Sequence, residues 1–218
     1  MHLLIINGSP RLNETGNTEI IISSFIKGYD CDENTYELFS VSKRSDWKKI
    51  KEAFYNNDYI LIAFPLFAES LPSILWEFLK YIHPVPEIKS GRRLAFILQC
   101  ASLESCQRTC CEKLLDKLPE KLNCFFNGTL SVGDMFGLWL DDSRREEKLK
   151  PIENAGFLFA KDRCFFESEV KNLSEPEYVT ESEAKIISRI KKFMINEYAE
   201  KLGCNYDLMN TPYLDSFE

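Results

Sequence analysis

The feature that most constrains this chain is an alternation of two hydrophobic periods. Residues 2–7 (HLLIIN) form a short apolar run closed by Gly8-Ser9-Pro10. A run too short for a helix and ended by turn residues reads as a strand buried on both faces. Gly16-Asn17-Thr18 then opens a stretch of helical spacing that reaches about Lys27. The pair repeats. Residues 34–41 (NTYELFSV) predict a second strand with partial alternation, and Ser45 to Asn56 a helix with Trp47, Ile50 and Phe54 on one face. Asp58 to Phe64 (DYILIAF) predicts a third strand, stopped by Pro65. Leu71, Ile74, Leu75, Phe78, Leu79 and Ile82 recur at helical spacing, with Pro72 tolerated in the first turn. A fourth strand is expected at 93–100 (RLAFILQC), a helix from Ser105 to Leu118, and a fifth strand at 122–132 (LNCFFNGTLSV), bent near Gly128.

Strands that alternate with helices imply an α/β fold with a parallel sheet and right-handed crossovers. Residues 144–167 are expected to be largely helical and to supply the fifth covering helix. Glu175-Pro176 marks a break. Thr180-Glu181-Ser182-Glu183 is a capping box for a helix to about Leu202, and the tail 204–218 has no periodicity. No repeat or linker divides the chain. The expectation is one domain over 1–218, with a core at about 1–167 and a helical extension and tail at about 176–218.

Charge narrows the partners. Lys plus Arg total 27 against 34 Asp plus Glu, a net charge of −7. That speaks against nucleic acid or an anionic membrane as the main partner, because both are held by clustered cations. It leaves a phosphate ligand open, since backbone N–H groups and hydroxyls bind phosphate without a basic surface. The run Leu3 to Ile6 is too short for a signal peptide, and the longest uncharged apolar run, Tyr59 to Ala68, is far short of a membrane span. Eight cysteines in a chain long enough for a proper core read as reduced thiols, so a cytoplasmic location is expected.

In a parallel sheet, ligands bind beyond the carboxyl ends of the strands, where the winding direction switches. The loop Gly8 to Thr18 (GSPRLNETGNT) is expected there. It is rich in hydroxyls and amides and leads into a helix N-terminus, where free N–H groups and the helix dipole favour an anion. No lysine follows Gly16 as a Walker loop needs, and G-x-G-x-x-G is absent. A loop of hydroxyls and amides remains. Read plainly, it is either a phosphate site or a solvated turn with Asn17 or Thr18 as helix cap.

Here the residues resemble a family. Ile6-Asn7-Gly8-Ser9-Pro10-Arg11 with Gly16-Asn17-Thr18 resembles the G-S-P-R-x-x-G-N-T motif of the NADPH-dependent FMN reductases, the flavodoxin-like NAD(P)H oxidoreductases. Pro65 to Pro72 (PLFAESLP) resembles that family's P-L-Y-x-x-x-x-P, and the helix ending Trp76 to Lys80 is similar too. The resemblance spans roughly 1–133, and 144–167 loosely. It implies a flavodoxin-like, doubly wound five-stranded parallel sheet, to which this chain adds a C-terminal helix. It implies bound FMN with NAD(P)H as co-substrate, a small-molecule electron acceptor and a homodimer. By the same resemblance Ser9, Arg11, Asn17 and Thr18 hold the FMN phosphate, and Pro65, Leu66, Phe67 and Ala68 line the isoalloxazine. The loop Cys100-Ala101-Ser102-Leu103 meets the ring's other edge. The chain departs from the family pattern in three places. The first loop is two residues longer than the short form, Phe67 stands where Tyr is common, and the loop after strand four lacks a glycine.

Other features suggest other chemistries. Cys106, Cys110 and Cys111 lack the spacing of an iron–sulfur motif, and Cys111 leaves the face shared by the other two. Cys100 reads as a buried strand residue that could also touch a flavin. His2 and His83 are the chain's only histidines, and His83 reads as a solvated helix cap. Asp141-Asp142 and Arg144-Arg145 read as an exposed loop. Tyr206, Tyr213 and Phe217 in the tail could dock on a partner subunit or cover a flavin, or remain without fixed structure. Three functions follow for the chain: a reductase passing electrons from NAD(P)H through FMN to a quinone, flavin, nitro or azo compound; a flavodoxin-type electron carrier; or a non-catalytic binding module. The first needs no acid–base side chain, because the cofactor carries the hydride.

Overall fold

The computed structural model describes residues 1–11, 16–31, 33–87, 91–138, 142–173, 176–201 and 203. In chain order the regular elements are β1 (His2–Asn7), α1 (Asn17–Tyr29), β2 (Thr35–Ser40), α2 (Trp47–Asn56), β3 (Tyr59–Pro65), α3 (Ser73–Ile82), β4 (Arg92–Gln99), α4 (Thr109–Leu115), α5 (Leu118–Lys121), β5 (Cys124–Val132), α6 (Asp142–Asp162), α7 (Glu167–Val170) and α8 (Glu181–Lys201). All five expected strands are present. They form one parallel sheet in the order β2-β1-β3-β4-β5. The winding reverses between β1 and β3, which puts the switch point, and the loops that follow these strands, at one end of the sheet.

The apolar runs explain the layering. Leu3 to Ile6 of β1 and Leu61 to Phe64 of β3 are fully buried because helices cover both faces. One core packs α2, α3 and α4 on the sheet through Ile50, Phe54, Phe78 and Leu115. The other packs α1 and α6 through Phe25, Tyr29, Ile152 and Phe159, so residues 144–167 do cover the sheet as expected. There α1 and α6 approach so closely that a Cβ on Gly28 would lie 1.8 Å from the Glu153 carbonyl, and one on Gly156 2.1 Å from that of Phe25. Phe25 and Phe159 meet edge to face at 5.7 Å beside this contact.

Two boundaries differ from expectation. The helix foreseen over Ser105 to Leu118 is a 3-10 turn (Ser105–Gln107) followed by the separate helices α4 and α5. Pro119 has no N–H to continue the ladder, so the chain restarts with proline in the first turn of α5. Pro72 caps α3 from outside, with ψ at 144°, and the helix begins at Ser73. The bend in β5 is present: its register with β4 shifts between Leu94 and Phe96, and Gly128 has φ 92°.

The capping box closes as its sequence demands. Thr180 N donates to Glu183 Oε2 at 2.8 Å, and Glu183 N donates to Thr180 Oγ1 at 3.3 Å. A bond from the Thr180 hydroxyl to Glu183 Oε2 at 2.6 Å, joined by the one from Thr180 N, holds the Glu183 carboxyl below its ordinary pKa. The helix they start, α8, leaves Ile186, Ile190 and Phe193 exposed on one face. Cys204 and the tail aromatics Tyr206, Tyr213 and Phe217 lie outside the described residues.

Candidate active site

The carboxyl ends of β1, β3 and β4 open on a cleft of about 230 Å³. Its first wall is the β1–α1 loop. Ser9 is buried, and its N–H donates to Asn7 Oδ1 at 2.9 Å while Arg11 N donates to Ser9 Oγ at 3.3 Å. Ser42 Oγ donates to the Ser9 carbonyl, anchoring the turn from β2's end. The loop then meets the start of α1, where Gly16 precedes the helix in extended backbone and, as glycine, offers no capping side chain of its own. The first N–H groups of α1, which have no intrahelical partner, thus belong to residues that line the cleft. Thr18 is buried in this first turn and accepts a hydrogen bond from Gln99 Nε2 at 3.4 Å. Asn17 donates Nδ2 to the Met135 carbonyl at 2.6 Å, while its Oδ1 is buried with no partner among the described residues. Leu12 to Thr15 lie outside the described residues.

The second wall comes from β3. Leu66 N donates to the Gln99 carbonyl at 2.8 Å, which carries the strand's direction into the loop. Phe67 and Ser70 then exchange backbone hydrogen bonds at 3.0 Å each way. They close a two-residue turn over Ala68 and Glu69, with φ of 46° and 60°. Two left-handed residues in succession match a type I′ turn, which Asn-Gly usually makes. An Ala-Glu pair there costs about 1–2 kcal/mol per residue. The result is that Phe67, half exposed, is held at the cleft rim. Ala68 lies at the tip of the turn and does not line the cleft.

The third wall is the β4 loop and the segment after β5. Cys100 and Ala101 line the cleft, whereas Ser102 stands behind it. Ser102's carbonyl accepts from Asp134 N at 2.8 Å, and that of Cys100 from Met135 N at 3.0 Å. Phe136 thereby reaches the cleft. Arg144 fastens this segment. It donates to the carbonyls of Phe136 (2.7 Å) and Asp134 (2.6 Å) and pairs with the Asp134 carboxylate, which also meets Lys148 at 3.0 Å. Arg144 is therefore a structural clamp and not part of an exposed loop, and Asp142 opens α6, paired with Arg145 at 2.6 Å. Asp141 lies outside the described residues.

The cleft brings together Ser9, Arg11, Asn17, Thr18, Pro65, Leu66, Phe67, Cys100 and Ala101 from the expected set, and leaves out Ala68 and Ser102. It adds Gln99 and Phe136, which sequence reasoning missed. Gln99 had a visible signal, an amide closing the buried run RLAFILQ, where the ligand end of a strand is expected. Phe136 had none beyond its place just after β5. The cysteines of α4 turn apart: Cys110 is exposed and Cys111 buried. Burial pushes the Cys111 thiol up to about 12, with Glu112 and Cys110 adding to the shift. His83 caps the C-terminus of α3 in solvent, as expected. His2 stands at the opposite end of the sheet from the cleft.

Chemically the cleft has two unlike ends. One offers N–H groups, hydroxyls and an exposed arginine; the other offers Leu66, Phe67, Phe136 and backbone. A ligand with an anion at one end and a flat apolar body at the other matches this division.

No protein-family model and no curated protein matches this chain. Solved structures do. The chain is similar to the FMN-dependent NADH-azoreductase from Bacillus anthracis str. Ames Ancestor, in complex with FMN, at 15% identity and TM-score 0.56, over 73% of this chain and 99% of that chain. It is similar to the NAD(P)H:quinone oxidoreductase from Methanothermobacter marburgensis at 14% identity and TM-score 0.57, over 72% and 96%. It is also similar to an NADH:FMN oxidoreductase in its apo form, at 17% identity and TM-score 0.53, over 80% and 96%. These are proteins of the class that the two loop motifs resemble, and at such identities the likeness shows the fold: the chain has a flavodoxin-like fold, a five-stranded parallel sheet with helices on both faces.

Proposed function

We propose that this chain binds FMN in the cleft and passes electrons from NAD(P)H through it to a small acceptor such as a quinone, flavin, nitro or azo compound. The observation that carries this is the meeting, at the switch point, of a glycine-led helix start with a rim of Leu66 and Phe67. The residues present fit the cofactor. The α1 N–H groups, with the hydroxyls of Ser9 and Thr18 and the charge of Arg11, suit the phosphate. Asn17 Oδ1, buried and without a partner among the described residues, calls for a donor such as a ribityl hydroxyl. Phe67 and Pro65 suit the isoalloxazine, with Cys100 and Ala101 at its other edge. When bound, FMN supplies the hydride chemistry; the protein binds the phosphate and positions the ring.

The names of the similar structures support this reading, since each is an NAD(P)H- or FMN-using oxidoreductase. No described helix is long and apolar enough to cross a membrane. A cytoplasmic location and a homodimer belong to the same proposal, the dimer supported by the exposed Ile186, Ile190 and Phe193 of α8. The test is an FMN titration followed by anaerobic NADH or NADPH. Saturable binding at micromolar protein and rapid bleaching of the bound flavin support the reductase. Slow bleaching supports a carrier, and no binding supports a non-catalytic module. A monomer mass by light scattering at all concentrations removes the dimer.

A further inference from the structure

Two arginines among the described residues are fully buried, Arg92 and Arg108. Arg92 sits at the amino end of β4, away from the cleft, and donates to the Tyr55 and Pro86 carbonyls. Arg108 sits directly behind the third wall. Its Nη1 donates to the carbonyls of Ser102 (3.4 Å) and Glu104 (3.3 Å) and lies 3.5 Å from Cys100 Sγ. Its Nε donates to Ser131 Oγ at 3.0 Å, and Ser131 in turn donates to Glu112 Oε1. That carboxylate is 4.0 Å from Nε and about one-third exposed.

Withdrawing a guanidinium from water is expensive, and an apolar side chain would fill the same space without that cost. The bonds show what the arginine does that an apolar residue cannot. The Cys100–Glu104 segment leaves β4 without entering regular structure; Met135 N and Asp134 N reach the Cys100 and Ser102 carbonyls, and Arg108 adds donors to those of Ser102 and Glu104. A rigid fork of donors can hold several of them at once. The close fit around it is visible at Gly133, where a Cβ would stand 2.4 Å from Arg108 Nη1 and 2.6 Å from the Ser102 carbonyl. Toward the cleft, Nη1 lies 3.5 Å from the sulfur of Cys100, a residue of the lining, so a buried positive charge stands directly behind this wall.

We propose that Arg108 is the positioning residue of the cleft: it fixes the Cys100–Glu104 wall and turns a buried positive charge toward whatever lies against that wall. The second half rests on the FMN reading; the first does not. The experiment compares native protein with Arg108→Lys and Arg108→Gln. Without added ligand, the alkylation rate of Cys100 is read by peptide mass spectrometry. With FMN, affinity and the reduction potential of the bound flavin are read. Neither variant reproduces the fork, so Cys100 alkylation rises and FMN affinity falls by about tenfold in both. The potential becomes more negative in Arg108→Gln and stays near native in Arg108→Lys, because only lysine keeps the charge. Native alkylation rates in both variants overturn the positioning role. A native potential in Arg108→Gln overturns the charge effect. If Arg108→Gln does not fold, Arg108→Lys still decides the positioning role by the alkylation rate. If native protein binds no FMN, the functional reading fails while alkylation still decides the role of Arg108.

Discussion

The first and third walls of the cleft face each other but are built by different means. Along the β1–α1 loop, the bonds Ser9 N to Asn7 Oδ1 and Arg11 N to Ser9 Oγ each span two residues. The neighbouring helix start is a local feature as well. More distant ties also reach this wall, from Ser42 to the Ser9 carbonyl and from Asn17 to that of Met135; the third wall has one local bond, from Cys100 Sγ to the Ser102 carbonyl, and otherwise leans on its neighbours. It is tied to the segment after β5 through Asp134 and Met135, and to a buried arginine on the far side of the loop. Thr18 and Gln99 join the two across the cleft floor. A wall stitched locally survives changes elsewhere in the molecule. A wall held from a distance depends on the packing behind it.

The largest effect expected is on the first wall. Replacing Ser9 and Thr18 together by Ala removes two hydroxyls from the anionic end, each worth about 1–3 kcal/mol toward a charged acceptor. FMN affinity, followed by flavin fluorescence, should fall accordingly. The hydride-transfer rate at saturating FMN should stay native. A collapsed rate with intact affinity would mean that the phosphate end lies elsewhere.

Gly133→Ala is the matching change behind the third wall. Its Cβ meets Arg108 and the Ser102 carbonyl, so overpacking should cost about 1–3 kcal/mol in urea unfolding. Cys100 should then alkylate faster. An unchanged unfolding midpoint would show that this wall yields freely, contrary to the close fit seen.

Alkaline pH should reach the third wall before the first. Cys111 lies on α4, three residues beyond Arg108, and burial raises its thiol to about 12. Burial likewise raises the Cys124 thiol to about 11, on β5. Folded pKa values above the unfolded value of about 9 mean that this stability is complete below pH 9. It is lost as pH climbs toward 11 and 12, by about 1 kcal/mol per thiol near pH 10. Unfolding free energies between pH 8 and 10 should show that slope, and Cys111→Ala should reduce it. A flat profile in native protein would disprove the effect.

The smallest effect is at the rim between the walls. Glu69→Gly relieves a left-handed residue that lies in no core, and should stabilise the protein by about 0.5 kcal/mol after the added freedom of the unfolded chain is counted. A thermal midpoint that falls would mean that the Glu69 side chain holds the turn.

Much of this was legible before any coordinates. The five strands, the helices α1, α2 and α3, the covering helix at 144–167, the bend at Gly128 and the capping box at Thr180 all follow from patterns contained within a few residues. So does the first wall, because a hydroxyl-rich loop between a buried strand and a helix start is itself local. The I′ turn over Ala68-Glu69 was not legible, since neither residue signals left-handed backbone; the bridge between Phe67 and Ser70 imposes it. Nor were the roles of Arg108 and Arg144, which in sequence look like charges bound for solvent, where most arginines lie. Their carbonyl partners lie four to ten residues away in loops with no helical or strand spacing to announce them, and those loops meet each other through Asp134 N and Met135 N, beyond the next strand. The sequence by itself determined the sheet and the helix start at its ligand end, because hydrophobic period and turn residues act over short range. Tertiary structure decided the wall opposite, because the backbone donors of Asp134 and Met135 that hold it are brought alongside by the pairing of β5 with β4.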